Sequence, residues 1–352
     1  MRGAPLAEPE ELPQLWQKPA FEHLLACLTN LRLEPPIWGL QISREDTLKK
    51  QQQQQRDAVD PREIISFLSC IIKSTLGWID DDEKREQIWE EASKRLSERC
   101  GRTAMGEIIR KWPFESQEYE AFNLAIREPS LTGDSLGLKT WGSSYVLAQL
   151  LYVFSSGPLA HLFHTKKVVG TRPEPTEILE LGSGTGLLGL AAACVWGASV
   201  VLTDLPDIMP NLIHNAELNR STVEGRGGSI EAAALTWGGR EGESDPRFTS
   251  GNRYQLIIVA DPLYDDNHPL LLTSAIDAQL SLDADARVLV MIPQRDDTTK
   301  RLTDALRVAM AAQDRPLVCV EEDMVAGEDD WAEGDQDDST QRCFWWGIFR
   351  RG

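Results

Sequence analysis

The chain has 352 residues, of which 41% are hydrophobic, and a formal net charge of −19. That is the composition of a folded globular protein, without an apolar run of membrane-spanning length, and its acidity disfavours a phosphate-backbone ligand, which rewards basic patches. Much of the excess charge is local: residues 321–340 hold ten Asp or Glu and no Lys or Arg, which suits a basic protein partner. Six cysteines (Cys27, Cys70, Cys100, Cys194, Cys319 and Cys343) form no C-x-x-C pair and have no metal-spaced histidines beside them. They read as thiols of a reducing compartment, and no metal is expected. The opening "MRGAPLAEPEELPQLWQ" has no apolar signal core and too much acid for a transit peptide. A cytoplasmic, monomeric protein without membrane contact is expected.

Residues 1–60 read as a poorly ordered segment. Within it, "EDTLKKQQQQQRDAVDP" (45–61) is a low-complexity polar linker. "PREIISFLSCIIKS" then starts with Pro61 at a first helical position and continues at helical spacing. "DDDEKREQIWEEASKRLSERCG" (80–101) has acids at its start, Gly101 at its end, and Ile88, Trp89, Ala92 and Leu96 as its apolar stripe. Residues 61–136 are therefore expected to be a small helical module that is structural or docks a partner, ahead of a second domain at 137–352.

In that second domain, strands and helices alternate. "WGSSYVLAQLLYVFSS" (141–156) reads as a helix, "TEILELG" as a buried strand and "TGLLGLAAACVWG" as a helix ending at Gly197. "SVVLTD" (199–204), "SIEAAALTW" (229–237), "YQLIIVAD" (254–261) and "ARVLVMIP" read as further strands. A helix with a possible break at Pro210 follows the first of these, and helices at 268–282 and in "DDTTKRLTDALRVAMAAQ" follow later ones. "PLVCVEED" and "CFWWGIFRR" close the chain as two strands around the acidic loop. Near-continuous apolar strands alternating with helices indicate an α/β domain whose parallel sheet is covered on both faces, with an antiparallel finish.

"ILELGSGTGLLGL" (178–190) carries the chemistry. In a doubly wound sheet a glycine loop after a strand lies where ligands bind, and glycine admits the turn or the close approach. The dinucleotide fingerprint G-x-G-x-x-G requires glycine where this chain has Leu187. Glu180, just ahead of the loop, poorly serves a pyrophosphate but suits a cofactor with an ammonium group and no phosphate. S-adenosylmethionine has that chemistry. Asp204, ending the second strand, is placed to accept from ribose hydroxyls, which fits either cofactor; its plainer alternative is a helix cap. Trp237, ending the third strand, is a candidate adenine wall or a core aromatic, and Trp141 a candidate cover for the methionine end. In "VADPLY" (259–264), Asp261 is placed to accept a bond from an incoming amine, with Tyr264 packing against it.

Together "LKTWGSS", "ILELGSGTGLLGL", "VVLTD", "NAELN", "LTWG" and "ADPLY" resemble the seven-β-strand methyltransferases, specifically the lysine methyltransferases called methyltransferase family 16. The resemblance spans about 137–352. It implies a Rossmann-like seven-stranded, mostly parallel sheet with an antiparallel last strand. It also implies S-adenosylmethionine contacts at Trp141, Gly182, Ser183, Gly184, Asp204, Trp237 and, through its backbone, Ala260. The family's D-x-x-Y motif matches Asp261 and Tyr264, where the target lysine enters. "DEKREQIWEEASKRLSERCGRTAMGEI" with "EPSLTGDSLGLKTWGSS" is similar to the N-terminal extension of fungal protein-lysine methyltransferases of elongation factor 2. That similarity implies a translation-factor lysine as substrate.

Methyl transfer is an in-line displacement, chiefly a matter of positioning. Lysine must arrive neutral, and an apolar aromatic entrance favours that by desolvation. A charged Asp261 opposes it, so Asp261 is read as orienting the amine, with water taking the proton. Two other readings stand beside this one: an amino methyltransferase for nucleic acid, whose D-P-P-Y or N-P-P-Y tetrad has proline where this chain has Leu263, and a non-catalytic fold serving as an assembly or chaperone-like partner.

Overall fold

The computed structural model describes residues 12–33, 60–100, 104, 106–130, 136–163, 176–239, 243–328 and 341–352. The linker up to residue 59 and the acidic residues 329–340 lie outside the described residues. The chain divides into two units, the first running to Ile108 and the second holding Ile109–Pro129 and Gly133–Gly352.

The first unit contains helices α1 (Phe21–Asn30), α2 (Pro61–Lys73) and α3 (Asp82–Ser97). Asp60 caps α2 by accepting from Arg62 N–H, with Pro61 in the first turn. Asp81 caps α3 by accepting from Glu83 and Lys84 N–H. Acids at the start of α3 and Lys94 and Arg95 in its last turn match the helix dipole. Ile88 and Ala92 are fully buried with Leu24, Leu28, Leu68 and Ile71, while Trp89 and Leu96 pack at the edge. Two of these residues, Leu24 and Leu28, belong to α1, inside the stretch expected to be poorly ordered. A helix that short takes its stability from packing rather than propensity, so its local signal is weak.

Residues 61–136 are not helical throughout. Part of that span, expected to be helical, forms strands β1 (Ile108–Phe114) and β2 (Phe122–Glu128), a hairpin of the second unit. The period-two signal was concealed because Arg110 and Glu128 occupy inward positions beside Trp112, Phe114, Leu124 and Ile126. They sit there as an ion pair with Nη2–Oε2 at 3.5 Å.

The second unit continues with α4 (Gly142–Ser156), α5 (Ala160–Phe163), β3 (Glu177–Leu181), α6 (Leu187–Trp196), β4 (Ser199–Asp204) and α7 (Met209–Gly225). It ends with β5 (Ser229–Ala234), β6 (Leu256–Ala260), α8 (His268–Gln279), β7 (Arg287–Pro293), α9 (Asp297–Ala311), β8 (Leu317–Glu328) and β9 (Gln341–Arg351). The seven-stranded sheet has the order β5-β4-β3-β6-β7-β9-β8. The first five of these are parallel, and β9 runs antiparallel to both β7 and β8. Alternation along each strand divides the core. Ile178, Leu256, Ile258, Leu289 and Met291 face one side with α4, α6 and α7. Leu179, Ile257, Val259, Val288 and Val290 face the other with α8 and α9.

Two boundaries differ from the sequence reading. Pro210 starts α7 instead of interrupting it, because proline is tolerated in a first turn. Strand β8 extends past the expected strand end at Asp323 to Glu328, so residues 324–328 of the acidic stretch are strand and not loop. Residues 321–328 pair with β9 from Glu321↔Ile348 to Glu328↔Gln341, and an edge strand tolerates outward acids.

An asparagine ladder fastens the hairpin to the sheet domain. Asn211, Asn215 and Asn219 share one face of α7 and are buried. Asn219 and Asn215 accept from Ala125 and Arg127 N–H and donate back to the same residues' carbonyls. The helix thus serves β2 as a neighbouring strand would. Asn215 Nδ2 also donates to Thr185 O of the glycine loop at 2.9 Å.

Candidate functional site

The sheet order changes direction between β3 and β6, and a cavity of about 350 Å³ opens beyond the carboxyl ends of these strands. It lies wholly within the second unit. Eight of the residues expected in the site meet there with Ala260 of β6: Trp141, Gly182, Ser183, Gly184, Asp204, Trp237, Asp261 and Tyr264.

The loop's backbone explains its glycines. Gly182, Gly184 and Gly186 have φ of 71°, 55° and 87°, which L side chains rarely adopt. At Gly184 a Cβ would also press to 3.2 Å from Gly137 O. Ser183 continues the ladder past β3: its N–H donates to Thr203 O at 2.8 Å and its Oγ accepts from Thr203 N–H at 3.0 Å. The loop is therefore fixed against β4, with open space above it.

Asp204 accepts from Gly184 N–H through Oδ2 and from Leu205 N–H through Oδ1, both at 2.7 Å. Burial raises its carboxyl above the usual range, and these two amides oppose the rise. Each oxygen retains a lone pair for a ligand hydroxyl. The Trp237 ring lies close against Gly182, and its edge meets His268 with centroids 6.1 Å apart. Tyr264 is 64% exposed and stands edge-on to His268 at 4.2 Å, at the mouth.

Glu180 is placed differently from the expectation. It does not line the cavity. Its side chain points behind the loop, where Oε2 accepts from Gly189 N–H of α6 at 3.1 Å and the Ser183 hydroxyl bonds it. Only 2% of it is exposed. Burial above all pushes its carboxyl up to about 8, with the Ser183 and Gly189 bonds opposing and the Asp204 charge adding. The reason is the strand period: Glu180 points to the face covered by α6, where the close approach of Gly189 admits it.

Sequence reasoning missed Lys139, His268 and Arg295, which also line the cavity. Arg295 lies two residues past the end of β7, and residues at the carboxyl ends of parallel strands were the available signal. It bonds Asp261 as a fork, Nη1–Oδ1 at 3.1 Å and Nη2–Oδ2 at 2.5 Å.

The glycine cradle, the carboxylate above it and the aromatic wall fit a nucleoside with a hydroxylated sugar. The carboxylates of Asp204, Asp261 and Asp296 do not suit a polyphosphate. The profile of a family described as lysine methyltransferase matches residues 119–308. The chain belongs to that lysine methyltransferase family. Protein-lysine N-methyltransferase EFM2 of Saccharomyces cerevisiae is 34% identical over 258 residues, 71% of this chain and 58% of the relative. Protein-lysine N-methyltransferase rrg1 of Schizosaccharomyces pombe is 27% identical, over 74% of each chain. The chain thus spans under two thirds of the budding-yeast relative's length. Among solved structures, Pyrococcus horikoshii TYW2 in complex with MeSAdo aligns with a TM-score of 0.37 and 12% identity over 74% of this chain and 83% of that one. A likeness of that size says nothing about activity.

Proposed function

We propose that this protein is an S-adenosylmethionine-dependent protein-lysine N-methyltransferase acting on a lysine of elongation factor 2. The observation that carries the reading is the convergence on one cavity of a glycine cradle, Asp204, Trp237 and an Asp261–Tyr264 mouth, in a chain of the lysine methyltransferase family. Bound S-adenosylmethionine would supply an electrophilic methyl group on its sulfonium. The loop Gly182–Gly184 holds the cofactor by close backbone approach, with Trp141 and the Ala260 backbone beside it. Asp204 accepts from the ribose hydroxyls and Trp237 covers adenine. Tyr264 presents an aromatic entrance that sheds water from the lysine stem, and Asp261 orients the amine. A lysine amine that has given its proton to water would be held there for in-line attack on that methyl group, whose bond to sulfur would break with the electron pair left on sulfur.

The choice of elongation factor 2 rests on the resemblance of residues 82–108 and 128–144 to the fungal enzymes of that substrate. A mouse relative named EEF1A lysine methyltransferase 3, 36% identical over 97 residues, is consistent with a translation-factor substrate. The acidic chain suits a protein substrate better than a nucleic acid, and a translation-factor substrate is the ground on which we propose a cytoplasmic location. The test is intact-mass analysis of elongation factor 2 from cells lacking this protein. A missing methyl increment, restored by the purified protein with S-adenosylmethionine, is the expected result. An unchanged mass would sink the substrate. Labelled methyl appearing in nucleic acid and not in protein would sink the lysine reading.

A further inference from the structure

The cavity poses a chemical problem. A lysine amine must lose its proton before it can attack, yet the acceptor placed at its entrance is a carboxylate. A carboxylate beside an amine stabilises the ammonium and raises its pKa by about 1–3 pH units. Left alone, Asp261 would hold the substrate in its inert form.

Arg295 meets that carboxylate. Asp261 follows β6 with φ of 54°, its N–H tied to Met291 O at 2.9 Å, so its position is set from two sides. The fork from Arg295 engages both oxygens, and the side chains are 12% and 8% exposed. The guanidinium carbon lies 5.2 Å from the Trp141 ring centroid, a cation–π contact. A carboxylate has about four lone-pair sites, so the two bonds of the fork do not by themselves exhaust Asp261 as an acceptor. Among the described residues, the other titratable or charged groups lining the cavity are Lys139 ahead of α4, Asp204 at the end of β4, Tyr264 and His268 leading into α8, and Asp296 at the start of α9. Asp204 is occupied by the amides of Gly184 and Leu205, and Asp296 by Thr299 N–H in the cap of α9. Lys139 Nζ lies 4.7 Å from the centroid of Trp141.

We propose that Arg295 is a positioning residue that cancels the charge of Asp261, so that the carboxylate receives the substrate lysine as a neutral amine instead of clamping it as an ammonium. This rests on the methyltransferase reading of the same cavity. Asp261 supplies direction through its lone pairs; Arg295 removes the electrostatic penalty that direction would otherwise bring.

The test is the pH profile of methyl transfer by the full chain, with hypomethylated cell protein and labelled S-adenosylmethionine as probes, for wild type, Arg295→Gln and Arg295→Lys. Arg295→Gln retains hydrogen-bond donors without charge. Its acid limb should move up by about 1–2 pH units, with a rate at neutral pH lower by about tenfold to a hundredfold that recovers as pH rises. Arg295→Lys keeps the charge and should keep the wild-type limb at a reduced rate. Asp261→Asn approaches from the other side: with the carboxylate gone, the remaining Arg295 charge should lower the limb. Cofactor titration checks that each variant is folded, and Asp261→Asn decides the matter if the glutamine variant fails that check. Equal losses in both arginine variants with an unmoved limb, or an unmoved limb in Asp261→Asn, overturn the proposal while wild-type methylation stands. Absence of lysine methylation by wild type overturns the methyltransferase reading and this proposal with it.

Discussion

Replacing Glu180 with glutamine tests the electrostatics beneath the glycine loop. In the native chain the carboxyl is pushed up to about 8, mainly by burial, from an ordinary value of 4.5. A carboxyl with a raised folded pKa holds its proton more tightly when folded than when unfolded. Its contribution to stability is therefore complete below about pH 4.5 and drains away as pH rises to about 8. At about 1.4 kcal/mol per pH unit, that interval sets a ceiling of about 5 kcal/mol. Relaxation and water entry on ionisation bring the expected effect to about 2 kcal/mol. Glutamine has the shape of the protonated acid and an oxygen to accept from Gly189 N–H. Thermal unfolding of both proteins should give matching midpoints near pH 4. By pH 8.5 the variant should be the more stable, by about 6 °C at about 3 °C per kcal/mol. A midpoint difference that does not change with pH would refute the reasoning. The same variant separates two roles: since Glu180 lies outside the cavity, S-adenosylmethionine affinity should be unchanged, whereas a direct ligand of the cofactor ammonium would lose it.

Other consequences are open to measurement. Asn215→Ala removes the bonds to Arg127 N–H, Arg127 O and Thr185 O and should cost about 3 kcal/mol, read by denaturant unfolding; a loss below about 1 kcal/mol would show that the ladder is dispensable. Gly184→Ala places a side chain at φ of 55° and 3.2 Å from Gly137 O, and should destabilise by about 1–2 kcal/mol, lowering the melting midpoint by about 5 °C. Asp204→Ala removes the acceptor assigned to the ribose and should weaken S-adenosylmethionine about tenfold to a hundredfold by calorimetry; unchanged affinity would remove Asp204 from the cofactor site.

The α/β alternation, the glycine loop and the acid ending β4 were legible because each leaves a local mark. Apolar strands, a run of glycines and a terminal Asp are properties of short windows. The hairpin was not legible, since the pair Arg110–Glu128 puts charge where a strand pattern expects apolar residues. Nor was α1, whose buried leucines signify only beside α2 and α3. Within the site, Glu180 and Asp204 look alike as acids flanking a loop. Strand phase sends one beneath the loop against Gly189 and the other into the cavity.

The amino-acid sequence by itself determined the sheet-forming segments, the cradle and the set of side chains delivered to one end of the sheet. These follow from periodicity and from the conformations glycine alone adopts readily. Only the tertiary structure decided that Asp261 arrives already engaged by Arg295. The two residues are far apart in the chain and meet because β6 and β7 are neighbours in the sheet. Charge compensation of that kind depends on distance in space, and no local pattern of residues records it.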